Sequence, residues 1–175
     1  LDLSVREMAI AVERGGTSGI GVASFEKGGF IVDGGHKFAD KGSFSPSSAS
    51  KTPPGPVLFR EDFPDWEIVL ALPGEDMHIG AHDAQEVDIF RKECPIPLHE
   101  VQAVAHIVLM KMMPAIVEKD IEGFGQATNR LQTLGFKQRE IRLQHQAVRD
   151  LIELLQDSGA YGAGMSSFGP VVYAF

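Results

Sequence analysis

The residues able to do chemistry concentrate between positions 14 and 37. The run RGGTSGIGVAS at residues 14–24 sets Gly15, Gly16, Gly19 and Gly21 around Thr17 and Ser18. Without Cβ atoms these glycines tolerate positive φ and let backbone N–H groups approach a ligand closely. The residues that follow can open a helix, and a helix N-terminus attracts negative charge, so the run suits an anion such as phosphate. A flexible turn between two helices is the plainer alternative. Asp33, Gly34, Gly35, His36 and Lys37 form the next cluster, just after a strand-like stretch. Asp33 or His36 there can accept a proton from a phenol or a water, and Lys37 or Arg14 can meet a carboxylate or a phosphate. A tight turn with solvated ends would use the same residues.

A second glycine and serine run, AYGAGMSSFG at residues 160–169, precedes the final apolar stretch. Neither run is a Walker A motif, since no Lys-Ser/Thr pair follows the glycines. Neither completes a dinucleotide fingerprint, since Gly19-Ile-Gly21 and Gly162-Ala-Gly164 both lack the third glycine. Taken together, one run opening a helix and one preceding a strand could wrap an anionic ligand from two sides through backbone N–H groups, with Ser166 and Ser167 adding hydroxyls.

The elements that must position these residues read as follows. Residues 3–13 pattern as an amphipathic helix ending at Gly15 and Gly16, and Thr17 or Ser18 can cap a second helix through about Glu26. Residues 30–33 read as a strand closed by Gly34 and Gly35. Residues 39–56 turn to Ser, Lys, Gly and Pro, a composition that fits a mobile loop, linker or lid. Residues 66–72 read as a buried strand stopped by Pro73 and Gly74, and a second structural unit begins near there. Residues 75–86 read as a polar surface loop. Apolar residues at helical spacing predict a largely buried helix over residues 98–118, with Pro114 as a kink or break. Further helices are expected over residues 120–134 and 139–157, then the second glycine run and a terminal strand at residues 171–175.

At 175 residues and 43% hydrophobic content the chain can bury a real core, and the pattern is α+β. The net charge of -8 argues against holding nucleic acid or anionic lipid by bulk positive potential, so any phosphate site must be local. The pattern shows no continuous apolar run long enough for a membrane span, and the single cysteine, Cys94, allows no disulfide within the chain. A reducing, cytoplasmic setting fits best. Both ends read as cut from a longer protein. His78 and His82 have a spacing that could hold a metal on a helix, but Gly80 between them favours a solvated acidic loop. Cys94 is best read as a buried or incidental thiol, and Met110, Met112 and Met113 as core filling, although such a surface could also pack on a second copy as a homodimer. His99, His106 and His145 fall at helix positions.

Residues 14–36 (RGGTSGIGVASFEKGGFIVDGGH) together with residues 162–170 (GAGMSSFGP) closely resemble the archaeal β-ribofuranosylaminobenzene 5′-phosphate synthases, a branch of the GHMP kinase superfamily. The likeness spans most of the chain and includes residues 87–90 and 94–97. It implies a GHMP-superfamily-like two-domain arrangement: residues 1–60 closing an N-terminal domain like ribosomal protein S5 domain 2, and residues 61–175 forming most of a ferredoxin-like C-terminal domain. It also implies condensation of phosphoribosyl pyrophosphate with 4-hydroxybenzoate or 4-aminobenzoate, with loss of carbon dioxide and pyrophosphate, in methanopterin biosynthesis. Mg²⁺ would sit near Thr17 or Ser18. The phosphates would meet Gly15, Gly16, Thr17, Ser18, Gly19, Gly21, Gly162, Gly164, Ser166 and Ser167, and Asp33, His36 and Arg14 would act in the chemistry. The partners would be a small sugar phosphate and an aromatic acid, with no nucleic acid and no membrane. An ATP-dependent small-molecule kinase of the same superfamily is the second expectation, and an acidic interaction domain whose glycines only make turns is the third. The superfamily's N-terminal first motif lies outside these residues, so the piece by itself is not expected to be an active enzyme.

Overall fold

The structure, a computed structural model, describes residues 2–16, 18–37, 52–74 and 84–175, with only the backbone for residues 84–86. The described residues divide into two compact units. One runs to Phe63 and takes in the helix up to Lys92, and the other comprises residues 64–74 and 93–175.

In the first unit, helix α1 (Val5–Ala11) starts at a capping box in which Ser4 accepts from the Glu7 N–H and Glu7 reaches back to the Ser4 N–H. It ends earlier than its pattern predicts, because Glu13 enters the left-handed region at φ 56° before the glycines are reached. Helix α2 (Ile20–Lys27) takes Gly19 as its N-cap rather than Thr17 or Ser18. Its last carbonyls are closed by Arg60, whose guanidinium donates to Lys27 O at 2.9 Å and Gly28 O at 3.3 Å. Strand β1 (Phe30–Asp33) pairs antiparallel with β2 (Val57–Glu61), a strand the sequence pattern did not announce. The register shifts at the end of the ladder: Val32 faces Phe59, but Asp33 faces Val57. Leu58 is thus bulged out of the pairing, and such bulges bend a strand and re-aim its side chains. The stretch expected to be a loop ends in packed residues, since Pro54 is buried; residues 39–51 of it, and the His78 and His82 pair, lie outside the described residues. Helix α3 (Ala84–Glu93) completes the described elements of this unit up to Lys92.

The second unit holds a three-stranded antiparallel sheet in the order β3 (Val69–Ala71), β5 (Val172–Ala174), β4 (Ala163–Met165). Strand β3 is shorter than the residue 66–72 pattern and is not buried: Leu70 is 71% exposed, because β3 is an edge of this sheet. Helix α4 (Leu98–Ile107) continues through a π-helical turn (Val108–Met112) into α5 (Met113–Glu118). The π turn stands directly before Pro114, where a regular helix would lose an N–H donor and meet a ring clash. The whole stretch Leu98–Glu118 is largely exposed, not buried, with Met110 at 68% exposure, and by length and composition it could cross a bilayer. Its first turn nonetheless carries Glu100, which is ion-paired within the unit.

Helix α6 (Ile121–Leu131) is capped by Asp120, which accepts from the Gly123 N–H at 2.9 Å. The single helix expected at residues 139–157 is two helices, α7 (Gly135–Leu143) and α8 (Gln146–Asp157). They break at His145, whose Nδ1 accepts from the Ala147 N–H and caps α8. The core lies where α8 meets the sheet: Val148 and Ile152 pack with Ala163, Met165, Val172 and Ala174, and Leu151 and Leu155 flank them. Trp66, Phe124 and Phe175 form a cluster with centroids 5.1 to 6.5 Å apart. On α6, Gly125 lies against the backbone of Tyr161 and Gly162, and a Cβ built on Gly162 would come within 2.6 Å of the Gly125 Cα.

Arg139 ties α4 to α7. It donates to both carboxylate oxygens of Glu100, at 2.8 and 3.1 Å, and to Gly135 O at 2.6 Å, while Glu100 accepts the Gly135 N–H at 3.0 Å. The Arg139 hydrogen bonds hold the Glu100 carboxyl below the usual carboxylate range. A depressed carboxyl stabilises the fold above its unfolded-state pKa, and that stability is lost as pH falls through its folded-state value. The gap in urea midpoint between the wild type and Glu100→Gln is therefore expected to be widest near neutrality and to close as pH falls from about 7 toward about 3. The Gly125 contact gives a second expectation: Gly125→Ala should destabilise the unit by about 1–3 kcal/mol, read as a lower urea midpoint with an unchanged slope.

Candidate functional site

The candidate site in the first unit is built around the Asp33 carboxylate. The Gly19 N–H donates to Asp33 Oδ2 at 2.6 Å, and the Gly35 N–H donates to Asp33 Oδ1 at 2.9 Å. One oxygen therefore holds the N-cap of α2, and the other holds the turn after β1. The strap at residues 52–56 closes over the same point. Gly34 N–H donates to Pro56 O at 2.8 Å, and a Cβ on Gly55 would come within 2.7 Å of Asp33 Oδ1. Gly15, at φ +85°, leaves room for the Pro54 ring, which would lie 2.7 Å from any Cβ added there. Gly19 has similarly little space beside Asp33. Gly21 differs, since nothing lies within 4 Å of its Cβ position. Its N–H falls in the first turn of α2, where no helical carbonyl is available to it.

The other expected site residues of this unit are placed as follows. Ser18 is exposed, and its Oγ accepts from the Ile20 N–H at 3.4 Å; Gly16 is buried, and Thr17 lies outside the described residues. Arg14 and Lys37 are exposed. His36 Nε2 lies 2.8 Å from Pro53 O. A carbonyl oxygen only accepts, so Nε2 carries the proton and Nδ1 is left as the basic nitrogen. The structure thus brings Asp33, Gly19, Gly35 and the strap together and sets His36 on the same strap. Nothing in the composition of residues 52–56 pointed to this packing, although a proline-rich strap is stiff enough to provide it.

The second glycine run belongs to the other unit and is built differently. Gly162 and Phe175 exchange backbone hydrogen bonds at 3.2 and 3.0 Å. The Ala163 N–H donates to Asn129 Oδ1 at 2.9 Å and the Met165 N–H to Gln132 Oε1 at 3.0 Å. The Ser166 N–H donates to Val171 O at 2.9 Å. Gly162 and Gly164 are buried within this arrangement, and a Cβ on Gly164 would strike the Gln132 carboxamide. These amides are engaged inside the fold, which leaves the exposed Ser166 and Ser167 as the polar groups the run presents. Lys137 Nζ holds the turn through Ser167 O at 2.7 Å and pairs with the buried Glu140 at 2.5 Å, and Gln144 donates to Phe168 O. Asn129 and Gln132, which the sequence gave no reason to single out, are the residues that fix this run.

A cavity of about 580 Å³ opens between α6 and α8, lined among others by Gln126, Asn129, Arg130, Arg149 and Gln156. Most of these polar groups are matched within the protein. Arg149 donates to Ile141 O, Gln144 O and Gln146, Gln156 donates to Asn129, and Gln126 accepts from Lys111. Burial pushes the Cys94 thiol up, opposed by the charge of Arg139, as suits an inert cysteine. Burial likewise raises Tyr173, whose hydroxyl hydrogen-bonds Gln132. Among the described residues, no group of three or more His, Cys, Asp or Glu side chains is arranged to hold a metal.

Comparison with known proteins adds to this geometry. Residues 112–175 match the family of GHMP kinases C terminal domains. The second unit carries that module. The chain is also similar to proteins named beta-ribofuranosylphenol 5'-phosphate synthase. The relative from Methanothermobacter thermautotrophicus is 52% identical over 99% of this chain and 53% of its own length. That from Methanocaldococcus jannaschii is 52% identical over 99% of this chain and 52% of its own. That from Archaeoglobus fulgidus is 48% identical over 99% and 53%. The chain spans about half the length of the curated relatives it matches. The resemblance seen in the glycine runs is thus borne out along almost the whole chain.

The carboxamide network predicts a measurable cost. Gln132→Met keeps the volume but leaves the Met165 N–H without its acceptor, and should destabilise the fold by about 1–3 kcal/mol, read from urea unfolding.

Proposed function

We propose that the protein of which this chain is part transfers a phosphoribosyl group to an aromatic acid with loss of carbon dioxide. The observation that carries the reading is the glycine run at the head of α2, held by Asp33, in a chain about half identical to proteins named for a ribofuranosylphenol 5'-phosphate. A phenol product keeps the ring hydroxyl, so 4-hydroxybenzoate is favoured over 4-aminobenzoate as acceptor. The C1–O bond of phosphoribosyl pyrophosphate breaks and pyrophosphate leaves with the electron pair. The ring carbon bearing the carboxylate then bonds to the sugar C1, and the electrons of the lost carboxylate's C–C bond restore the aromatic ring as carbon dioxide departs.

In this reading the first-turn amides of α2, Gly21 foremost, and the Ser18 hydroxyl meet phosphate oxygens, where fixed donors stabilise charge without reorganising. Ser166 and Ser167, the exposed hydroxyls of the second unit, are assigned to phosphate as well. His36, with Nδ1 as its basic nitrogen, takes the phenol proton during attack and returns it to the ring oxygen once carbon dioxide has left, and Arg14 or Lys37 meets the carboxylate before it is lost. Mg²⁺, when it accompanies the pyrophosphate, neutralises its charge. Thr17 and Ser18 are the side chains assigned to it, with substrate phosphates and water as its other ligands. The finer architecture belongs to the same proposal: residues 1–60 as the end of an N-terminal domain like ribosomal protein S5 domain 2, residues 61–175 as most of a ferredoxin-like domain, in a cytoplasmic enzyme that can form a homodimer. The match to GHMP kinases C terminal domains favours a second reading, an ATP-dependent kinase for a small hydroxylated substrate.

The test uses the full-length protein with phosphoribosyl pyrophosphate and carboxyl-labelled 4-hydroxybenzoate. Release of labelled carbon dioxide in step with pyrophosphate is expected. ATP consumption without that release would replace this reading with the kinase.

A further inference from the structure

The geometry points to Asp33 as a positioning residue that locks the glycine run to the loop bearing His36, rather than as a proton acceptor. The inference rests on the reading of that run as the phosphate site and assigns Asp33 a different part in it. Three observations converge on it. The ladder slips at Leu58 so that Asp33 faces Val57, and the Asp33 side chain reaches the N-cap of α2. Its two oxygens each accept a backbone N–H, from Gly19 at 2.6 Å and from Gly35 at 2.9 Å, a pairing that only a carboxylate can make with both of its ends. The third is the lack of room for other residue types around it: Cβ atoms on Gly19 and Gly55 would come within 3.1 and 2.7 Å of its oxygens.

Both oxygens of this carboxylate are engaged in holding backbone, one toward Gly19 and the other toward Gly35. By taking the N-cap amide it fixes the direction of α2 and leaves the open first-turn position at Gly21 to the ligand. Through Gly35 the same group sets the turn from which His36 reaches Pro53. Asp33 therefore acts through the groups it holds, one side of the site through Gly19 and the other through Gly35.

The test compares Asp33→Asn, Asp33→Ala and Gly55→Ala in the full-length protein. Backbone amide exchange at Gly19 and Gly35, measured without substrate, is expected to rise roughly tenfold in Asp33→Ala, and less at one of the two amides in Asp33→Asn, whose remaining carbonyl oxygen can still accept. The KM for phosphoribosyl pyrophosphate should rise roughly tenfold in Asp33→Ala, while the pH dependence of kcat keeps its shape. Gly55→Ala keeps the carboxylate but crowds it, and should move KM in the same direction, which also covers an Asp33→Ala protein that fails to fold. Unchanged exchange at both glycines would overturn the inference. So would an Asp33→Asn enzyme with unaltered KM, a collapsed kcat and a lost acid limb in its pH profile, since that is the behaviour of a proton acceptor. Because exchange is read without substrate, a wild type that releases no carbon dioxide would sink the phosphoribosyl reading while leaving the clamp itself decided.

Discussion

The described geometry around the first glycine run depends on one carboxylate accepting two backbone N–H groups from segments far apart in sequence. Glycine-rich backbone has the most conformational freedom to lose, and a loop with this composition has no apolar side chains to hold it. Asp33 supplies the missing restraint. Its two oxygens fix Gly19 and Gly35 at once, beside the slip in the ladder of β1 and β2. The space around it is then limited, leaving no room for a Cβ at position 55 without a shift and only a tight fit at position 19. The strap at residues 52–56 completes the arrangement through Pro54 against Gly15 and Pro53 against His36.

The two glycine runs are alike in composition and unlike in physics. At residues 162–165 small residues are needed because a helix and a strand meet backbone to backbone, with Gly125 of α6 on Gly162 and the Gln132 carboxamide on Gly164. Its amides are drawn into carboxamide and strand hydrogen bonds, so the run is a piece of core with a hydroxyl-bearing turn at its end. At residues 15–21 the glycines surround a polar group and leave an open first turn at Gly21. A sequence pattern records that Cβ atoms are absent in both places. It cannot record whether the space they leave is filled by protein or left for a ligand.

This marks how far the sequence could be read. Elements set by local signals were legible: the amphipathic pattern at residues 3–13 holds α1, the β-branched run at residues 30–33 is β1, and the helix expected at residues 120–134 is α6. The α+β class followed from their mixture. Burial was less legible, because it is decided by neighbours. The apolar pattern at residues 66–72 yields an exposed edge strand, and the residues 98–118 pattern a largely exposed helix, since hydrophobicity alone says nothing about what stands beside it. The break at His145 was hidden because a histidine cap carries no strong sequence signature. In the candidate site, the residue types were visible but their relations were not. The contact between Asp33 and Gly19 joins residues 14 apart in sequence, and neither the strand β2 nor its slip at Leu58 has a motif.

The same logic sets the state of His36 before any substrate arrives. Its Nε2 faces a carbonyl, so one tautomer is selected by the hydrogen bond that Nε2–H donates to Pro53 O of the proline strap, and the basic nitrogen is turned to the other side of the ring. The strap is held in turn by contacts with Gly34 and Gly15 and by the crowding of Gly55 against Asp33. A change anywhere along this chain of contacts would alter ring orientation and loop direction together. Ring orientation and loop direction in this unit are therefore coupled, and the carboxylate that joins α2 to the turn after β1 is the point at which they meet.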